Sequence, residues 1–204
     1  MVGKSDVRSK FISDTTALDA DGISSAASVS GAGNLTIGGA LADGGSVTLS
    51  SGRIVTILSA GDDSGITFTV TGTDVNGDAQ TEVITGADTG TATGSSYFKT
   101  VTQIAASGAA AGNVSAGINN SAADVIFAGR IRLKGAYIVN DAAAGTVEFN
   151  DVSPTGTNLM KVGTVASATV TRDITVPDEG VLFPNGAYAK FEVGKMESLT
   201  SFIA

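Results

Sequence analysis

The chain of 204 residues carries 12 Lys+Arg against 20 Asp+Glu, a net charge of −8, and contains neither His nor Cys. That balance excludes condensation onto nucleic acid, which needs clustered cations, and attraction to an anionic membrane surface. The missing His and Cys remove Ser-His-Asp and Cys-His nucleophiles, disulfides and the usual zinc ligands.

Hydrophobic residues make up 42% of the chain and aromatics only 5%, with 27 Gly and 3 Pro. Such a composition suits thin sheets of small and β-branched side chains joined by many tight turns. The absence of Cys fits a protein made in a reducing cytoplasm. No apolar run reaches the roughly 18 residues of a transmembrane helix. No apolar stretch follows Lys4, Arg8 and Lys10, so no signal peptide is expected.

Residues 1–33 are rich in Ser, Ala, Asp and Gly, with Phe11, Ile12 and Leu18 as the only sizeable apolar anchors after the start. An extended N-terminal arm is expected there, with Lys4, Arg8, Lys10, Phe11 and Ile12 as candidate partner contacts. Residues 34–121 read as a first β module. Short strands are expected at 34–37, 46–49 and 53–58. Over 65–73, Ile66, Phe68 and Val70 alternate with Thr67, Thr69 and Thr71, the period of a half-buried strand. Asp74-Val75-Asn76-Gly77-Asp78 then supplies a turn in which Asn76-Gly77 suits a type I′ hairpin. The return strand is expected at 79–85, followed by strands at 97–105 and 114–118.

The polar, small-residue stretch 119–123 (Asn-Asn-Ser-Ala-Ala) is expected to be a break between modules. Residues 122–204 read as a second module, a β-sandwich. Across 130–140, Ile131, Leu133, Tyr137 and Val139 are expected on one face, and Arg130, Arg132 and Lys134 on the other. That basic row is a second candidate partner contact, or a solvated face that discourages edge pairing. Strands are expected at 146–150, 159–162, 169–176, 181–183, 187–193 and 198–203. The fold class expected is therefore all-β: two small sandwich or barrel-like modules behind an arm.

Few groups remain for chemistry. The segment 74–78 begins like a calcium loop, but an EF-hand needs Gly at 79 and Glu at 85, where Ala79 and Thr85 stand. Asp62-Asp63 before Ser64-Gly65 reads as a solvated turn, and Asp19-Ala20-Asp21-Gly22 as at most a weak cation site. Asp173, Asp178 and Glu179 are carboxylates of the glycosidase kind, without the Trp platforms sugar sites favour. Gly31, Gly33, Gly38 and Gly39 are followed by no Gly-Lys-Ser/Thr, so no phosphate loop is expected. Asn34-Leu35-Thr36 and Asn113-Val114-Ser115 match the glycosylation pattern but follow no secretion signal. No catalytic residue, metal or cofactor is expected, and the chain reads as a non-enzymatic protein that works through its surfaces.

The stretch 53–78, RIVTILSAGDDSGITFTVTGTDVNGD, resembles virion proteins of tailed bacteriophages. So do the Thr/Glu-rich segment Thr81–Gly86 and the Tyr-Phe-Lys-Thr-Val-Thr segment from Tyr97 to Thr102. Ile131–Asn140, Gly145–Phe149 and the loop from Val176 to Phe183 extend the resemblance over about 53–204. It implies a structural protein assembled in the host cytoplasm and built into the virion. A capsid decoration (cement) protein is the first expectation, bound to the major capsid protein or other virion proteins as a homo-oligomer, preferably a trimer. A tail, neck or fibre component is the alternative, and a carbohydrate-binding adsorption module a third. The resemblance carries over no catalytic residue.

Overall fold

A computed structural model describes residues 6–167 and 170–204. The protein is all-β: among the described residues there is no helix, and strands β1 to β16 form two sheets. The abundant Thr, Val and Ile favour the pleated sheet because branching at Cβ costs χ1 freedom in a helix.

The chain divides into two compact units. One is Ala17–Asn120. It contains β2 (Asp19–Ser28), β3 (Gly33–Asn34), β4 (Ala42–Asp43), β5 (Ser46–Asp62), β6 (Thr67–Thr73), β7 (Ala79–Thr85), β8 (Asp88–Ala106) and the start of β9 (Asn113–Phe127). The order is β9-β5-β8-β6-β7, with β2 on β9, β3 on β8 and β4 on β5. Its core holds Phe68, Phe98, Ile57, Ile104 and Ile118, all fully buried.

The two strands expected at 46–49 and 53–58 are one strand of 17 residues, and β8 runs for 19. Register shifts between Thr48 and Arg53, and again between Ile54 and Thr56, break the pairing of β5 with β8 and bend it. Arg53 is fully buried there, and its guanidinium donates from Nε to the Asn119 carbonyl at 3.1 Å and from Nη2 to the same oxygen.

The β6–β7 hairpin differs from the expected two-residue turn. Thr73 pairs with Ala79, so the loop has five residues, and Gly77 alone takes positive φ, at 90°. Asp74 explains this. Its Oδ1 accepts the N–H of Asn76 at 2.8 Å and of Asp78 at 2.9 Å, a local bond pattern that competes with the tight turn.

The other unit is Met1–Thr16 with Ser121–Ala204. It is a sandwich. One layer has the order β1 (Arg8–Ser13), β16 (Met196–Ile203), β10 (Ile131–Asn140), β13 (Thr171–Thr175), with β14 (Val181–Phe183) also on β10. The other has the order β12 (Thr157–Gly163), β11 (Thr146–Asp151), β15 (Ala187–Glu192), β9. Leu133, Ile138, Phe149, Phe183, Met196 and Leu199 fill the space between.

Three expectations are corrected. First, the described part of the arm is not free chain: β1 pairs with β16 and β2 with β9. Second, the module boundary expected at 119–123 falls there, between Asn120 and Ser121, but inside β9 rather than at a break in the chain: Ala122 and Ala123 are fully buried and pair with Phe191 and Lys190 of β15.

Third, β10 does not keep one face. Leu133 pairs with Ile203 and Gly135 with Phe202, which leaves Lys134 as an extra residue, a β-bulge. One extra residue reverses every later side chain. Ile131 and Leu133 point inward before it, Ala136, Ile138 and Asn140 after it, and Tyr137 is turned out.

Candidate functional surface

The bulge at Lys134 creates the main surface feature of the second unit. Register places Phe11, Thr200, Tyr137 and Asp173 in one row across β1, β16, β10 and β13, and Ser9, Phe202, Gly135 and Thr175 in the next. Directly paired residues share a face. The neighbouring row of Ile12, Leu199 and Ile138 is buried in the core, so Phe11, Tyr137 and Phe202 lie on the outer face. They are 63%, 39% and 37% exposed. Strand spacing sets Phe11 and Tyr137 about 10 Å apart across β16, with Phe202 about 7–8 Å diagonally from each.

Gly135 admits the backbone of β13 beside this cluster: a Cβ there would stand 2.6 Å from the Ile174 carbonyl oxygen, while Phe202 Cδ2, at 3.7 Å, would be in ordinary contact. In these two rows Asp173 is the one charged residue; the other non-aromatic positions are Ser, Thr and Gly. The Arg132–Glu179 ion pair, at 3.9 Å, joins β10 to the loop before β14.

Charge is unevenly shared. Ala17–Asn120 contains two cations, Arg53 and Lys99, and nine Asp or Glu, so its net is 2 − 9 = −7. The remaining chain contains ten cations and eleven acids, 10 − 11 = −1. Self-repulsion therefore falls mainly on the first unit.

The basic candidates fall in separate places. Lys4 lies outside the described residues. Arg8 stands over the Phe127 ring at 5.9 Å, and half-buried Lys10 pairs with Ser201 along the outer edge of the sheet. Ile12 is buried in the core and is no surface contact. Arg130 is exposed after β9. Arg132 donates to the Glu179 carbonyl at 3.3 Å and Lys134 Nζ to the Asp178 carbonyl at 2.7 Å. That pair pins the loop at 177–180 rather than forming an open basic row.

Two acidic positions take structural roles. Asp62 accepts the N–H and the hydroxyl of Ser64, which hold its carboxyl below the ordinary range. Asp63, expected to be solvated, is buried; its Oδ1 accepts the Ala111 N–H at 2.8 Å, and Oδ2 has no hydrogen-bond partner. Elsewhere, Glu148 receives Lys161 Nζ at 2.8 Å and Lys190 Nζ at 3.1 Å. Lys161 is the chief cause holding its carboxyl low; partial burial opposes this and Lys190 adds to it. Among the described residues no three acidic side chains gather into a metal-binding group.

Sequence reasoning singled out Phe11 but not Tyr137 or Phe202. The signal for Phe202 was its alternation with Leu199, Ser201 and Ile203; for Tyr137 there was none, because a bulge leaves no mark in hydropathy. No protein-family model matches the chain, and neither a curated protein nor a solved structure is significantly similar to it.

Proposed function

We propose that this is a structural protein of a tailed-bacteriophage virion that acts through surfaces rather than by catalysis, and that its station is the capsid exterior, as a decoration protein on the major capsid protein. The observation that carries the reading is the outer face of the β1-β16-β10-β13 sheet, where three of the chain's eleven aromatic residues stand in water. The gathering of these rings on one sheet face, rather than the size of the patch, supports reading it as the interaction site. The acidic first unit would keep decorated particles soluble and apart.

In this reading the protein binds only the assembled shell, and mass action then stabilises the shell. The resemblance over 53–204 is what points to a virion and to the particle assembled in the host cytoplasm. Purified protein is mixed with empty, undecorated heads, which are pelleted and the bound copies counted. Many copies per head with raised thermal stability support the decoration role. A few copies or none would move the protein to neck, tail or fibre. The exposed rings also suit a saccharide platform, and specific binding on a glycan array would favour the adsorption role.

A further inference from the structure

We infer that, in the protein free of any shell, the outer face of the β1-β16-β10-β13 sheet packs against the same face of a second copy of this chain, a contact that shell binding through that face would replace. Two features of the face select that occupant. Its two ring-bearing rows hold one charged residue, Asp173, in a chain of net charge −8, and Arg132 and Lys134 beyond them are tied to the loop at 177–180. Two copies of an acidic protein repel wherever acids face acids, so self-docking is tolerated where charge is missing. A basic partner would meet a single acid on these rows, Asp173, too little to select it over a second copy.

The face is also self-complementary. Phe11, Tyr137 and Phe202 supply rings, and Ser9, Thr200 and Thr175 supply hydroxyls that both donate and accept. A two-fold axis through such a patch brings rings onto rings in offset contact, with sheets stacked about 10 Å apart. Edge-to-edge pairing is disfavoured. Of the two end strands, β1 carries Arg8 and Lys10, like charges that would face each other across a two-fold axis, and β13 carries Arg172 and Asp173.

Area sets the strength. With about 200 Å² per aromatic side chain, the three exposed fractions amount to about 280 Å² of ring surface per copy. The hydroxyl positions around them leave the patch short of the roughly 800 Å² per partner of a standard interface. The dimer is therefore weak and reversible, and its order of two departs from the threefold arrangement that the phage resemblance implies.

The test is sedimentation equilibrium of the full chain over a concentration series, beside the triple variant F11S/Y137S/F202S. The wild type should approach twice the 20.1 kDa chain mass as concentration rises. The variant should associate at least about a hundredfold more weakly, since buried aromatic anchors carry most of an interface's energy. Added salt should leave the wild-type association unchanged or strengthen it, because it screens only repulsion. Should the triple variant fail to melt cooperatively, F11S alone, at the most exposed ring, carries the comparison.

A wild type that stays monomeric up to about 1 mM, the weak limit for so small a face, overturns the inference. So does a dimer that the variants leave intact, a mass of three chains, or a monomer whose rings instead bind a glycan and lose it in the variant. Pelleting with heads is scored separately and bears on the virion reading alone.

Discussion

Deleting Lys134 tests whether the bulge sets the outer face. Without the extra residue, β10 pairs with β16 in one register from Leu133 to Val139, where a second shift stands. Either Ala136, Ile138 and Asn140 turn outward, or Ile131 and Leu133 do. The second is less costly, yet it moves a fully buried Leu and a nearly buried Ile into water and swings Arg132 toward Phe183. At about 1.5–3 kcal/mol per side chain, the loss is about 3–6 kcal/mol before the buried guanidinium is counted. A domain has only about 5–15 kcal/mol to lose. The control is K134A, which keeps the bulge and loses the single exposed hydrogen bond to the Asp178 carbonyl. It should cost about 0.5 kcal/mol. Urea unfolding followed by far-UV circular dichroism gives both values. A deletion variant no less stable than K134A would show that the bulge does not dictate which side chains face the core.

Core truncation by F149A should destabilise by about 3–5 kcal/mol in the same assay, since Phe149 is fully buried between the layers. R53M should lower stability by about 1–3 kcal/mol, because an apolar side chain of similar size leaves the Asn119 carbonyl without its guanidinium donors. G72A should destabilise more than G44A, despite the positive φ of Gly44. A Cβ at 72 runs into the Thr100 carbonyl of the neighbouring strand, whereas Gly44 has open space. Thermal melts of the two variants rank them. For Asp151, burial pushes the carboxyl up, but hydrogen bonds from Asn185 and from the Val152 and Gly186 N–H groups outweigh it and hold the carboxyl low. Its stabilisation is therefore present above the unfolded value near 3.9 and lost as pH falls through the folded one. Glu148 behaves alike, from an unfolded value near 4.3. Melting temperatures of D151N and E148Q between pH 7 and pH 3 should fall less steeply than the wild type's.

The amino-acid sequence by itself determined the all-β class. Alternation of Ile, Phe and Val with Thr marks β6, the same bias marks β7, and Val, Thr and Gly in such numbers leave a helix no stretch to form in. It also determined the acidic charge and the absence of His and Cys chemistry. The tertiary structure alone decided where strands end and which way they face. Asn119–Ala123 reads as a break by composition, yet it runs on as strand, and Ala122 and Ala123 are buried where β9 pairs with β15. Phe11 and Ile12 are adjacent apolar residues, and only pairing with Thr200 and Leu199 sends one into water and the other into the core. Tyr137 reads as buried until the single unpaired residue at 134 turns it out. Hydropathy period is a local property of the chain, whereas register is a relation between strands far apart in sequence, and it is register that assembles the outer face.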